Sequence, residues 1–237
     1  SVIDSPTEAI ACATRETLAL GDLVAGMLTS SWDVLERNDS ALLKAIEATD
    51  DHVDELHEAI KLYLVKLSKA ELSDAESLRS VEILTFVTNL EHIGDIIHKS
   101  LMEVAAKKIR NRLAFSREGR DELRGFHERV LTNLRLSFSV FTSHDRALAR
   151  KLIAEKAVMR DIELAASDSH FSRLRDGRPE SIETSAIHLD IVRDLKRING
   201  HLTSVAYPIL EAAGDLLDSR LKLGAAVAGS RAQETVE

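Results

Sequence analysis

Cysteine occurs once in the 237 residues, at Cys12, so no internal disulfide can staple the chain. That suits a reducing compartment and excludes a small disulfide scaffold. Three prolines and ten glycines are few for a protein built on turns. With Ala, Leu, Glu, Lys and Arg abundant, the composition favours helix over sheet. Aromatic residues make up 4%, too little for the stacking platform of a single-strand nucleic-acid binder. The formal charge of -8 argues in the same direction, because a phosphate backbone is met by a basic face. No nucleic-acid partner is expected, and direct binding to anionic lipid is disfavoured. No run approaches the eighteen or more apolar residues of a membrane span, and no signal peptide opens the chain. The chain as given is expected to be soluble; beginning at Ser1, it reads as part of something longer. Neither G-x-S-x-G nor a Gly-rich phosphate loop occurs, and Cys12 has no partner histidine in its surroundings, so no enzyme is expected.

What is present is helical periodicity. Ile83, Phe86/Val87, Leu90, Ile93, Ile97, Leu101 and Val104/Ala105 recur at three and four, which buries one face of a long helix around LEHIGD, Leu90 to Asp95. Ile187, Ile191, Leu195, Ile198, Leu202, Val205 and Ile209 repeat the pattern, and LKRING at Leu195 to Gly200 overlays LEHIGD. The chain thus reads as an internal duplication. Each half supplies three helices. Ser5, Pro6 and Glu8 open the first, which runs to about Glu36; the second is carried by Ile46, Val53, Leu56, Ile60, Leu64 and Leu67. Ser73 with Glu76 forms a capping box for the third. The fourth runs from about Arg117 to Thr142. The fifth ends at Gly177 and Pro179, and the sixth spans about Ser181 to Leu221. The expected fold is all-α, two tandem antiparallel three-helix bundles over 1–112 and 113–221, with a flexible tail at 222–237.

Carboxylates are the main chemical signal. Glu91 and Asp95 lie one turn apart beside the central stripe, and Asp50 and Asp54 form a second such pair on helix two. Side chains four apart on a helix project side by side, so such pairs can hold a hard cation through oxygen. Without a cation they repel by only a few tenths of a kcal/mol, so a solvated acidic edge is the plain alternative. Asp54 with His57 and Asp95 with His98 each make a D-x-x-H, which resembles in part the paired E-x-x-H of di-iron bundles; the further carboxylate helices of such a site are missing. On helix six, Asp190, Asp194, Arg197 and His201 share an edge with Arg193 and Lys196. They form either an intrahelical ladder of ion pairs or a mixed surface for a partner, an anion or a metal.

LEHIGD resembles the glutamate-to-aspartate signature of the third helix in each half of PhoU-like proteins. ATRETLALGDLVAGML near the start, HFSRLRDG at His170 to Gly177 and SIETSAIHLDIVRDLKRINGHLTSVAYPIL at Ser181 to Leu210 are similar to the C-terminal cytoplasmic domain of bacterial Na/Pi cotransporter family proteins. The resemblance implies a regulatory domain of a sodium-dependent phosphate transporter, on the cytoplasmic face of the plasma membrane, with the transporter's membrane domain as partner and a homodimer as one further arrangement. It also implies a metal ion (Mg, Mn, Fe or Zn) at E(D)xxxD motifs, which Glu91 and Asp95 match. The second half departs from that motif, with Lys196 and Gly200 at the two acidic positions. A freestanding PhoU-like regulator or helical scaffold is the alternative.

Overall fold

The chain is described by a computed structural model over residues 5–215, and every regular element among them is helical. The first half contains α1 (Pro6–Arg37), α2 (Ser40–Leu67) and α3 (Asp74–Ile96), and α3 continues through a π-helical stretch, Ile97–Met102, into α4 (Glu103–Arg110). The second half contains α5 (Arg117–Ser143), α6 (Arg146–Arg175), and a rod in three pieces, α7 (Pro179–Glu183), α8 (Ser185–Thr203) and α9 (Ala206–Ala212). α1 packs on α2 and α3, and α5 on α6 and α8, giving two three-helix bundles.

Local chemistry sets the element ends. Ser73 and Glu76 complete the capping box that starts α3. Asp39 and Asp145 cap α2 and α6, and Asn38 and His144 close α1 and α5 in the left-handed conformation. Ser5 precedes α1 in extended geometry but makes no side-chain cap bond. The sixth rod differs from its expected single run. Pro208 has no N–H to give and its ring crowds the carbonyl four residues back, at Ser204, where α8 gives way to α9. The helix then stops at Ala212, before Gly214 at φ 71°; the expected extension to Leu221 and the tail at 222–237 lie outside the described residues.

The π stretch also follows from the sequence. Ile93, Ile97, Leu101 and Ala105 are fully buried at steps of four. In an α-helix each such step drifts about 40° around the axis; a wider turn keeps all four inward.

The two bundles share one apolar core. At their junction a Cβ on Gly21 would stand 2.8 Å from the Phe138 ring, so glycine lets α5 approach α1. Phe86 meets Phe138 edge-on at 6.1 Å and stacks on Phe141 at 4.4 Å. His127 Nε2 donates across the junction to the Leu28 carbonyl at 2.7 Å. α1 is the one described helix long and apolar enough by composition to cross a bilayer, which the apolar-run reading above does not anticipate; half of that window is buried here in the bundle.

Two expectations follow. Leu195 is 1% exposed, so Leu195→Ala should cost about 2–5 kcal/mol; an unchanged melting temperature would place it outside the core. His188 is buried against the stacked His170 ring (4.7 Å), and burial, then His170, lowers its pKa to about 4, with Glu122 opposing. The unfolded chain therefore binds the extra proton first. His188 contributes stability in full above about pH 6.5 and loses it toward pH 4, on the order of 3 kcal/mol. Melting temperatures of His188→Gln should be flatter across that range than those of the unaltered chain.

Candidate functional site

Three carboxylates meet between α2 and α3. Asp50 and Asp54 stand one turn apart on α2, Asp95 faces them from α3, and one oxygen from each lies within 4.8 Å of the other two. Asp50 is only 3% exposed. It occupies the place in the α2 stripe, between Ile46 and Val53, where an apolar residue would complete the step of four and three. His98 Nδ1 donates to Asp50 Oδ2 at 2.7 Å, whereas Oδ1 has no hydrogen-bond partner. A Cβ on Gly94 would be 2.9 Å from that same Oδ1. Glycine at 94 therefore leaves room for the carboxylate. Burial pushes the Asp50 carboxyl above its ordinary range; Asp54 and Asp95 add to this, and the His98 hydrogen bond works against it.

The π stretch supplies the site's two nitrogen groups. His98 reaches back to α2, and Lys99 Nζ donates to Asp95 Oδ1 at 2.5 Å. Lys99 is 60% exposed and free to swing away. Three carboxylates against one ammonium leave the cluster short of positive charge, and oxygen-rich donors with one imidazole suit a hard divalent cation. The unpartnered oxygen of Asp50, almost fully buried, leaves an acceptor open to a further positive group; Asp194 Oδ2 on α8 is likewise buried and unpartnered, but among the described residues no second and third carboxylate gather around it.

Glu91 does not join the cluster. Its carboxylate lies 3.6 Å from His92 Nε2, and His92 in turn faces His201 at 5.2 Å between ring centres. His57 is also elsewhere, with Nε2 3.5 Å from Thr88 Oγ1. The four carboxylates thus divide into three that meet and one that stands apart, and of the two histidines only His98 reaches the site. Spacing on a single helix cannot show this. The usable signal was the polar residue sitting in register with the α2 core stripe.

The second half has no counterpart at the aligned place. Asn199 stands where Gly94 aligns and accepts from Asn133 Nδ2 at 2.8 Å, while Lys196 pairs with Glu163 at 2.6 Å. Along α8, Arg193 bonds Asp190 at 2.8 Å, and Arg193 and Arg197 both reach the fully buried Asp194. The ladder of ion pairs is therefore present. His201 pairs with Asn89 at 2.8 Å. Arg193 also lines a cleft of about 310 Å³ with Lys99, Lys107 and Arg110, but Glu103, Asp190 and Asp194 line it too and nearly cancel the charge.

Gly94→Ala should force the Asp50 carboxylate aside and cost about 1–3 kcal/mol. In an Asp50→Ala background the same change should cost much less. Equal penalties in denaturant unfolding of the two backgrounds would mean that the Asp50 carboxylate is not what the methyl group meets.

Comparison with known proteins agrees with this architecture. The PhoU domain pattern matches twice, at residues 17–104 and 123–209, one match in each bundle. Proteins named "Putative inorganic phosphate export protein YjbB" are 40% identical over 211 residues in Salmonella typhimurium and 39% identical in Escherichia coli K12. The aligned part is 89% of this chain but 39% of theirs, so the chain spans about two fifths of the length of these relatives. Among solved structures, PhoU from Pseudomonas aeruginosa superposes with a TM-score of 0.79 at 20% identity, covering 89% of this chain and 99% of that one. The phosphate transport system regulatory protein PhoU from Streptococcus pneumoniae gives 0.78 at 18%, covering 91% and 100%, which shows the shared fold. Matched in both halves by the domain pattern and in shape by PhoU structures, the chain belongs to the PhoU family.

Proposed function

We propose that this chain is a non-catalytic PhoU-like regulator of phosphate movement across a membrane, and that it works with a divalent cation bound between α2 and α3. The buried, unpartnered Asp50 Oδ1 inside a three-carboxylate cluster carries the metal part of this reading. Asp50 and Asp54 on α2 and Asp95 on α3 would hold the ion, with His98 orienting Asp50; what the ion supplies is a tie between two helices that otherwise carry facing negative charge. Asp50 keeps its place through Gly94 and His98. Lys99 meanwhile balances Asp95 and yields it when a stronger positive charge competes. The phosphate part rests on PhoU family membership and on the phosphate-related names of the relatives.

A second reading places the chain within a longer phosphate-moving polypeptide, as the cytoplasmic regulatory part beside a membrane domain. The 39% coverage of the relatives favours it. The near-complete coverage of the solved PhoU chains favours a freestanding regulator instead. The relatives are named for export rather than uptake, so sodium coupling and the direction of transport belong to this second reading alone.

Metal content after equilibration with Mn2+ and dialysis tests the site. Asp54→Ala with Asp95→Ala should abolish binding while leaving helicity intact, since both residues flank the core. Glu91→Ala should retain the metal. Unchanged binding by the double variant would move the site elsewhere. An immunoblot of native cells separates the two readings: a band near 26.2 kDa supports the freestanding regulator, and a much larger membrane-bound band supports the longer polypeptide.

A further inference from the structure

Eight large apolar side chains are exposed among the described residues, and four of them, Leu62, Val65, Leu78 and Val81, lie where α2 ends and α3 begins. Val81 is 60% exposed and forms a ridge between two grooves. One, of about 360 Å³, lies between α2 and α3, with Leu64, Val65, Leu72 and Leu84 in its walls. The other, smaller groove runs between Leu78 on α3 and Val205, Pro208 and Ile209 at the start of α9. Isolated exposed leucines need no explanation, but an apolar ridge with a groove on each side is a surface without its cover.

Neighbouring elements and the length of the relatives point to what the cover is. Thr7 Oγ1 donates to Glu76 Oε1 at 3.0 Å, so the first turn of α1 stands beside the first turn of α3, at the same end of the bundle as Leu78. At the other end of the described chain, Pro208 and Ile209 form one wall of the smaller groove. The first turn of α1 and the start of α9 therefore both stand at the apolar end of the first bundle. In the curated relatives, roughly three fifths of the length lies outside the part this chain matches, ample for a segment that covers this surface.

We propose that the Val65, Leu78 and Val81 surface docks an apolar helical segment from the remainder of the longer polypeptide, laid along the two grooves; this rests on the second reading above. Helix-in-groove recognition needs paired apolar walls of this kind, with ridge residues spaced along one face. The Arg79, Glu82 and His144 ion-pair group at the rim of the smaller groove is internally neutralised, so the recognised face is apolar rather than charged. The larger groove is walled by the same two helices that carry Asp50, Asp54 and Asp95. Asp54 and Val65 are separated by about 17 Å of α2. A change in α2–α3 spacing at the carboxylates therefore changes the width of the groove.

Maleimide labelling of a single cysteine tests this. Val81→Cys in a Cys12→Ser background is compared in the isolated 237-residue chain and in the full polypeptide in native membranes, with Phe171→Cys on the far face of α6 as reference. Docking predicts at least about tenfold slower labelling of Val81→Cys in the full polypeptide and equal rates for Phe171→Cys. Equal rates at Val81→Cys would overturn the docking surface while leaving the longer polypeptide standing. Slow labelling in the isolated chain that quickens on dilution would assign the surface to a second copy. Detection of the 26.2 kDa chain alone in cells would overturn the second reading and this proposal with it.

Discussion

The close approach of α5 to α1, made possible by the missing side chain at Gly21, fixes how the two halves sit. With Phe138 on Gly21, the Phe86 ring is held between Phe138 and Phe141, so α3 is buried on two sides, against its own bundle and against the other. A helix clamped in this way cannot rotate freely. Its residues must divide their facing directions between the two neighbours: Leu90 and Ile93 go into the shared core, His92 faces α8, and Gly94 and Asp95 face α2. The position of the acidic cluster thus follows from packing some distance away from it.

Holding Asp50 inside that packing has an energetic cost. A buried carboxylate oxygen without a donor costs on the order of 1–3 kcal/mol, and more when the group is charged. The fold offsets this with an imidazole at hydrogen-bond distance and with a glycine that avoids a clash. A wholly apolar residue at position 50 would fit the stripe more cheaply. Retaining aspartate there, alongside two further carboxylates, concentrates negative charge where a structural residue would avoid it. This puts one of the fold's unfavourable terms between α2 and α3, as the likewise buried and unpartnered Asp194 Oδ2 puts another on α8.

Much of the architecture could be read from the sequence because amphipathic periodicity and caps are local properties. The Ser73–Glu76 box, the left-handed stops and the six stripes all depend on residues a few positions apart. The carboxylates were legible as pairs on single helices, but their grouping was not: Asp95 joins Asp50 and Asp54 while Glu91, one turn earlier, does not, because a π stretch and the α8 contact fix how α3 is turned. The break at Ser204 went unread, because the apolar stripe runs unbroken past it although Pro208 forbids the bond that a continuous helix needs. The burial of Asp50 was visible only as an aspartate occupying a core register, a signal that spacing between acidic residues does not contain.

The amide pair of Asn133 and Asn199 gives the duplicated fold an unequal pair of halves. An amide carries no net charge, so its hydrogen bond does not change with acidity, whereas the Asp50 carboxyl, pushed above its ordinary range by burial, does. Two bundles built on one plan therefore differ at this aligned position. Acidity reaches the second bundle elsewhere, at the buried His170–His188 pair, so the two halves answer it through different side chains.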